Sequence, residues 1–190
     1  MKNANTKRRT KFFTNWAAIT VLAASLLLTG LLTACPHNPK AEEIFWYGTS
    51  DDKEADIAGF HPELKKIPEN LVIPDKIKGL PVTHIRLTAF EGCTGITSVD
   101  MSACTSLTSI GLKAFKNCTG LKEVKLPKSL TKIDRHAFEG CSGLTSVVFA
   151  DTTGWKAGNT PIPPSDLANA ATAAKYLRET YTEHNWWSKN

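Results

Sequence analysis

Apolar positions recur through the middle of the chain with a long period. Residues 82–101, 107–126 and 130–149 superimpose on one another. Their apolar positions align as Val82/Leu107/Leu130, Ile85/Ile110/Ile133, Phe90/Phe115/Phe138, Ile96/Leu121/Leu144, Val99/Val124/Val147 and Met101/Leu126/Phe149. Phe90, Phe115 and Phe138 follow at intervals of 25 and 23 residues. The difference sits in one corner, where five residues separate Met101 from Leu107 but three separate Leu126 from Leu130. One such unit cannot bury its apolar set alone, whereas stacked units bury it as a continuous core, and stacking tolerates a corner insertion. The end of each unit alternates, which predicts a short strand with Val124 and Leu126 inward and Glu123 and Lys125 outward. The Ala-Phe pair ahead of a polar turn predicts a helical or 3₁₀ turn on the opposite wall. Pro127 fits an exit corner, because it cannot donate to a central ladder.

These residues compose the pattern Leu-Thr-x-Ile-x-x-x-Ala-Phe-x-x-Cys-x-x-Leu-x-x-Val-x-Leu-Pro. Over residues 80–150 it resembles the BspA-type leucine-rich repeat of bacterial surface proteins. Leu71-Val-Ile-Pro74 with Gly79-Leu-Pro-Val82 is similar to the half-turn that opens such arrays, and Asp151-Thr-Thr-Gly-Trp155 to the exit from their last strand. Met101-Ser-Ala-Cys-Thr-Ser-Leu107 departs from the pattern and resembles the corner of longer repeat classes, one residue extended. The resemblance implies a leucine-rich-repeat solenoid that is mainly β, with short parallel strands on one wall and irregular or 3₁₀ turns on the other. It also implies a surface-exposed adhesion or interaction protein.

Solenoid ends need caps. Ile44-Phe-Trp-Tyr47 and Ile57-Ala-Gly-Phe60, around Gly48-Thr-Ser-Asp-Asp52, predict an N-terminal hairpin cap. At the other end Pro161-Ile-Pro-Pro164 breaks the chain and Ser165 is placed to cap a helix. Leu167, Ala170, Ala171, Ala174, Leu177 and Tyr181 follow helical spacing on one face, so the C-terminal cap is expected to be α-helical, with Trp186 and Trp187 sealing the last turn.

The first residues read as an address. Lys2, Lys7, Arg8, Arg9 and Lys11 precede an apolar stretch over residues 12–33, closed by Leu32-Thr-Ala-Cys35. The layout is that of a secretory signal, and the closing residues resemble the bacterial lipobox, which implies lipid attachment at Cys35. A retained membrane span is the other reading of the same stretch. The expected organisation is a signal peptide over 1–34, a lipidated linker over 35–42, an N-terminal cap with a first half-repeat over 43–79, three repeats over 80–150, and a C-terminal cap over 151–190. The membrane is then a partner through the lipid on Cys35, and the expected location is an outer membrane or the cell surface, with a periplasm-facing site as the alternative. Charge follows the same division. Of 23 basic residues five lie in the leader, leaving 18 against 18 acidic residues. This balance gives no basic surface for nucleic acid.

Chemical motifs are sparse. Cys93, Cys118 and Cys141 share one repeat position, which suits small buried apolar residues stacked in a column. No Cys-x-x-Cys pair, phosphate loop or nucleophile elbow occurs, and the five histidines are scattered, so no catalytic residue, metal ligand or cofactor is assigned. The outward strand positions remain as candidate ligand-binding residues: Ser98, Glu123 and Ser146 in one row, Asp100, Lys125 and Val148 in the next. The chain is expected to be a binding protein for a host or bacterial-surface protein. A periplasmic structural or assembly lipoprotein, and an enzyme, are the alternatives from other classes.

Overall fold

The computed structural model describes residues 40–180 and 186–189; the leader, Cys35 and Tyr181 lie outside them. A short helix, α1 (Ala41–Ile44), leads into β1 (Phe45–Ser50) and β2 (Glu54–Phe60). The repeats supply β3 (Asn70–Val72), β4 (Lys76–Ile77), β5 (Leu80–Ile85), β6 (Ser98–Asp100), β7 (Ser109–Ile110), β8 (Glu123–Leu126), β9 (Lys132–Ile133) and β10 (Ser146–Phe149). β11 (Trp155–Ala157), β12 (Thr160–Pro161), α2 (Pro164–Ala168), α3 (Ala170–Lys175), a π-helical turn (Tyr176–Thr180) and β13 (Trp187–Lys189) follow.

Every aligned apolar position of the three repeats is buried. Phe90, Phe115 and Phe138 stack with ring centroids 5.2 Å apart at both steps, and Phe60 closes the column edge-on at 5.0 Å. Backbone bonds run from rung to rung beside the rings: Phe90 N–H donates to Ala114 O at 2.7 Å, and Phe115 N–H to Ala137 O at 2.8 Å. Within each Ala-Phe turn the bonds span three residues, as in Lys116 N–H to Lys113 O at 3.1 Å, which is 3₁₀ spacing. The buried core runs from Phe45 to Trp187, within the compact unit Pro39–Asn190.

Strands β3, β6, β8 and β10 make an all-parallel sheet in the spatial order β10-β8-β6-β3. The opposite wall holds more than was expected. It carries the expected 3₁₀ turns and, beside them, a second sheet in the order β1-β2-β5-β7-β9-β13-β11-β12, parallel from β2 to β9, with β4 paired to β5. Its rungs contribute only two residues each at β7 and β9, with Ile110 and Ile133 inward. Two residues are too few to show an alternation, so the strand is invisible to periodicity.

The predicted hairpin is present, and β2 joins β5, extending the second sheet over the N-terminal end. The C-terminal cap is helical but differently phased. Ser165 lies inside α2, with Pro164 at the first turn, and makes no cap. Asn169 caps α3 instead, its side-chain oxygen accepting from Ala171 N at 3.1 Å and Thr172 N at 3.0 Å. This break moves the buried face to Leu167, Ala173, Ala174 and Leu177 and leaves Ala171 exposed. Trp187 seals the end, buried against Phe149 and Trp155, while Trp186 is exposed.

Candidate functional site

Each rung of the first sheet places its outward side chains by strand alternation, and the parallel register stacks them in rows. One row is Asn70, Ser98, Glu123, Ser146; the other is Val72, Asp100, Lys125, Val148. All six candidate residues therefore lie on one face, in the two rows expected, and the structure adds Asn70 and Val72 from β3. With strands about 4.8 Å apart the face is about 14 Å across.

The middle of this face is polar and internally paired. Lys125 Nζ lies 3.5 Å from Asp100 Oδ2 and 4.0 Å from Glu123 Oε1. Asp100 Oδ1 also accepts from Ser102 Oγ at 2.6 Å and Ser102 N at 2.9 Å. The Ser102 hydroxyl, then its N–H and the Lys125 charge, hold the Asp100 carboxyl below its ordinary range. Ser98 Oγ donates to Asn70 Oδ1 at 2.7 Å. The edges are apolar and open: Val72 is 62% and Val148 45% exposed. The arrangement offers two apolar anchors flanking a charged centre, suited to a complementary surface.

Cys35 lies outside the described residues. Cys118 and Cys141 are buried, and their thiols donate to Phe90 O at 3.1 Å and Phe115 O at 3.0 Å in the preceding rung. Cys93, in the first repeat, is only half-buried, and burial pushes its thiol up to about 11. Among the described residues no three of His, Cys, Asp and Glu come together as a metal site.

A second polar cluster went unnoticed in the sequence. Asp56, on β2, is buried and sits 3.1 Å from His84 Nδ1 and 3.6 Å from Arg86 Nη2. Asp56, His84, Ser109 and Lys132 form one row across the second sheet. Asp56, His84 and Ser109, with Arg86, Leu87 and Asp134, border an open depression of about 400 Å³. The only sequence signal was the aligned slot before each inward isoleucine; Asp56 comes from the cap, 28 residues from His84, and has no counterpart in the repeats.

Stacked rungs with a parallel strand on each of two walls and a phenylalanine column between them define a leucine-rich-repeat solenoid. More narrowly, residues 68–155 match the family model of the BspA type leucine rich repeat region in six copies, and this part of the chain is a BspA-type repeat region. Among solved structures the chain is similar to a leucine rich repeat protein of T. pallidum, with 34% identity and a TM-score of 0.51, over 58% of this chain and 49% of that one. It is also similar to a leucine-rich repeat protein from Bacteroides ovatus, at 28% identity and TM-score 0.48, over 55% of this chain and 28% of that one. A leucine rich cell surface protein from Faecalibacterium prausnitzii matches at 28% identity and TM-score 0.46, over 55% and 30%. The chain thus spans about half the length of the first and less than a third of the other two. Comparison with curated proteins gives no match.

Proposed function

We propose that this chain is an exported lipoprotein, held at an outer membrane or the cell surface by lipid on Cys35, whose four-stranded sheet face binds another protein in adhesion or host-matrix interaction. The observation that carries the binding reading is the unbroken register of outward rows, which builds a flat face with exposed Val72 and Val148 around the Asp100–Lys125 pair. Solenoids of this kind work through such extended surfaces. The even charge balance beyond the leader supports a protein partner over nucleic acid. The basic, apolar and small-residue succession ending at Cys35 supports the anchor.

The full chain, solubilised in detergent, is used to capture partners from host serum and matrix extracts and from the bacterial envelope. Glu123→Ala with Lys125→Ala, and separately Val72→Ser with Val148→Ser, are expected to weaken capture while the fold persists. The matched control is Glu91→Ala with Arg135→Ala, both exposed beside the Ala-Phe turns. A control pair that weakens capture while the strand pairs do not would move the site off this face. Partners drawn only from the envelope would favour a periplasmic assembly role. Incorporation of a fatty-acid analogue that persists in Cys35→Ser would refute the anchor.

A further inference from the structure

Among the described residues the two strand paths end on β1, β12, β3 and β10, three of them guarded, and β4, which pairs with β5 off the path, is two residues long. β12 is two residues long and contains Pro161, which has no N–H to offer. β3 is three residues long and lies between Pro68 and Pro74. β10 is covered by α2 and α3. These are the usual protections of an edge strand. The outer edge of β1 has none of them. It is six residues long, Phe-Trp-Tyr-Gly-Thr-Ser, without charge or proline and rich in strand-forming aromatics. The bulge in the hairpin lies on β2, where Ala58 is the extra residue, so β1 itself runs regularly. Among the described residues no strand pairs with its outer side.

We infer that the outer edge of β1 pairs, antiparallel, with β1 of a second copy of this chain, across a two-fold axis at Tyr47. The register follows from alternation and fit. Residues opposed across such an axis share a face of the sheet, so Tyr47 meets its own copy and Trp46 meets Gly48 of the second copy. Trp46 is 47% exposed, on the side away from the buried Phe45. Gly48, lacking a side chain, lets the Arg86 guanidinium lie over the strand on that same side, 3.1 Å from where a Cβ would stand. An indole of the second copy opposite Gly48 stacks on the outer face of this guanidinium, joining an aromatic–glycine strand pair to a cation–π contact. Centring the axis on Gly48 would instead oppose two glycines and leave the guanidinium uncovered. Pairing at this edge is isologous and the far end is closed by β12, so the assembly stops at two. A strand pair about 20 Å long is smaller than a standard interface, so the association is expected to be micromolar or weaker.

The test is sedimentation velocity of the full chain in detergent over a range of concentrations, with circular dichroism to check folding. The expected result is a concentration-dependent dimer whose dissociation constant rises roughly tenfold or more in Trp46→Ala. Tyr47→Lys and Tyr47→Glu, which oppose like charges across the axis, are each expected to be monomeric, and their equimolar mixture to form a heterodimer. A wild-type chain that is monomeric throughout overturns the inference. So does a dimer indifferent to all three substitutions, or a mixture of folded Lys and Glu variants that fails to associate. Should the Tyr47 variants not fold, Trp46→Ala decides: weakened association supports the pairing, and unchanged association overturns it.

Discussion

Replacing Gly120 with alanine puts a methyl carbon 2.2 Å from the carbonyl oxygen of Thr94 and 3.2 Å from that of Ile96, both in the rung below. The backbone at Gly120 is one that any residue adopts, so the demand for glycine comes from the neighbouring rung alone. Normal contact requires the rungs to part by roughly 1 Å. They are held by the Cys118 thiol on Phe90 O, by Lys122 N–H on Thr97 O at 2.8 Å, and by rings 5.2 Å apart. Overpacking of this kind costs about 1–3 kcal/mol, offset by about 0.4–1 kcal/mol from the lost freedom of the unfolded chain. The net expectation is a loss of about 1–2 kcal/mol. Gly143 stands in the same relation to Thr119 O at 2.6 Å and should show the same sign with a smaller size. Gly95 holds the identical slot one rung earlier, with nothing within 4 Å, so only the unfolded-state effect remains and Gly95→Ala should be neutral or stabilising by up to about 1 kcal/mol. Urea unfolding of the Pro39–Asn190 fragment, followed by tryptophan fluorescence, measures all three. If Gly95→Ala and Gly120→Ala move the midpoint in the same direction by similar amounts, the stacking argument fails.

Phe115→Ala should cost about 3–5 kcal/mol in the same assay, because rings on both sides prevent the cavity from collapsing, and a near-normal midpoint would mean the column does not carry the core. Thr88 is a β-branched residue held at φ 54°, matched by Lys113 at 57° and His136 at 59°. Thr88→Asn should therefore raise stability by about 1 kcal/mol, seen as a higher Tm; a lower Tm would locate no strain there. The Glu139 carboxyl is held below its ordinary 4.5, first by the hydrogen bond from Lys116 Nζ at 3.0 Å, with the charges of Lys116 and His136 adding to it. A depressed carboxyl stabilises above its unfolded pKa and loses that contribution as pH falls through the folded one. The midpoint gap between wild type and Lys116→Met should accordingly be present at pH 6–7 and shrink below about pH 4.5; a gap that is constant down to pH 3 would contradict the pairing.

What could be read from the sequence was what the repeat writes more than once. The inward columns and outward rows each have three aligned copies, so alignment alone assigned Val99, Val124 and Val147 to the core and Ser98, Glu123 and Ser146 to the face. Features supplied by a single residue were not legible. Asn169 displaces Ser165 as the helix cap because its side chain reaches two N–H groups, a matter of geometry rather than residue type. The left-handed positions Thr88, Lys113 and His136 share no residue type that favours the conformation, so the aligned slot carries no signal for it. The Asp56 cluster joins a cap strand to a repeat strand, and neither segment alone suggests the pairing.

The same distinction bears on which side chains give the face its affinity. The rows were legible, but the energetic roles within them depend on pairing across strands. Asp100, Lys125 and Glu123 already satisfy one another and Ser102, so a partner that engages them must break or share bonds already made. Exposed pairs of this kind contribute little on their own, about 0–1 kcal/mol. Val72 and Val148 have no such prior claim, and burying each removes exposed apolar surface at about 25 cal/mol per Å². The charged centre then selects and orients the partner, while the valines at the two edges supply more of the binding free energy. Val72→Ser with Val148→Ser should for that reason weaken capture more than Glu123→Ala with Lys125→Ala, and raised salt should relieve the second defect's dependence on charge without touching the first. A strand-charge variant that abolishes binding while the valine variant leaves it intact would reverse these roles.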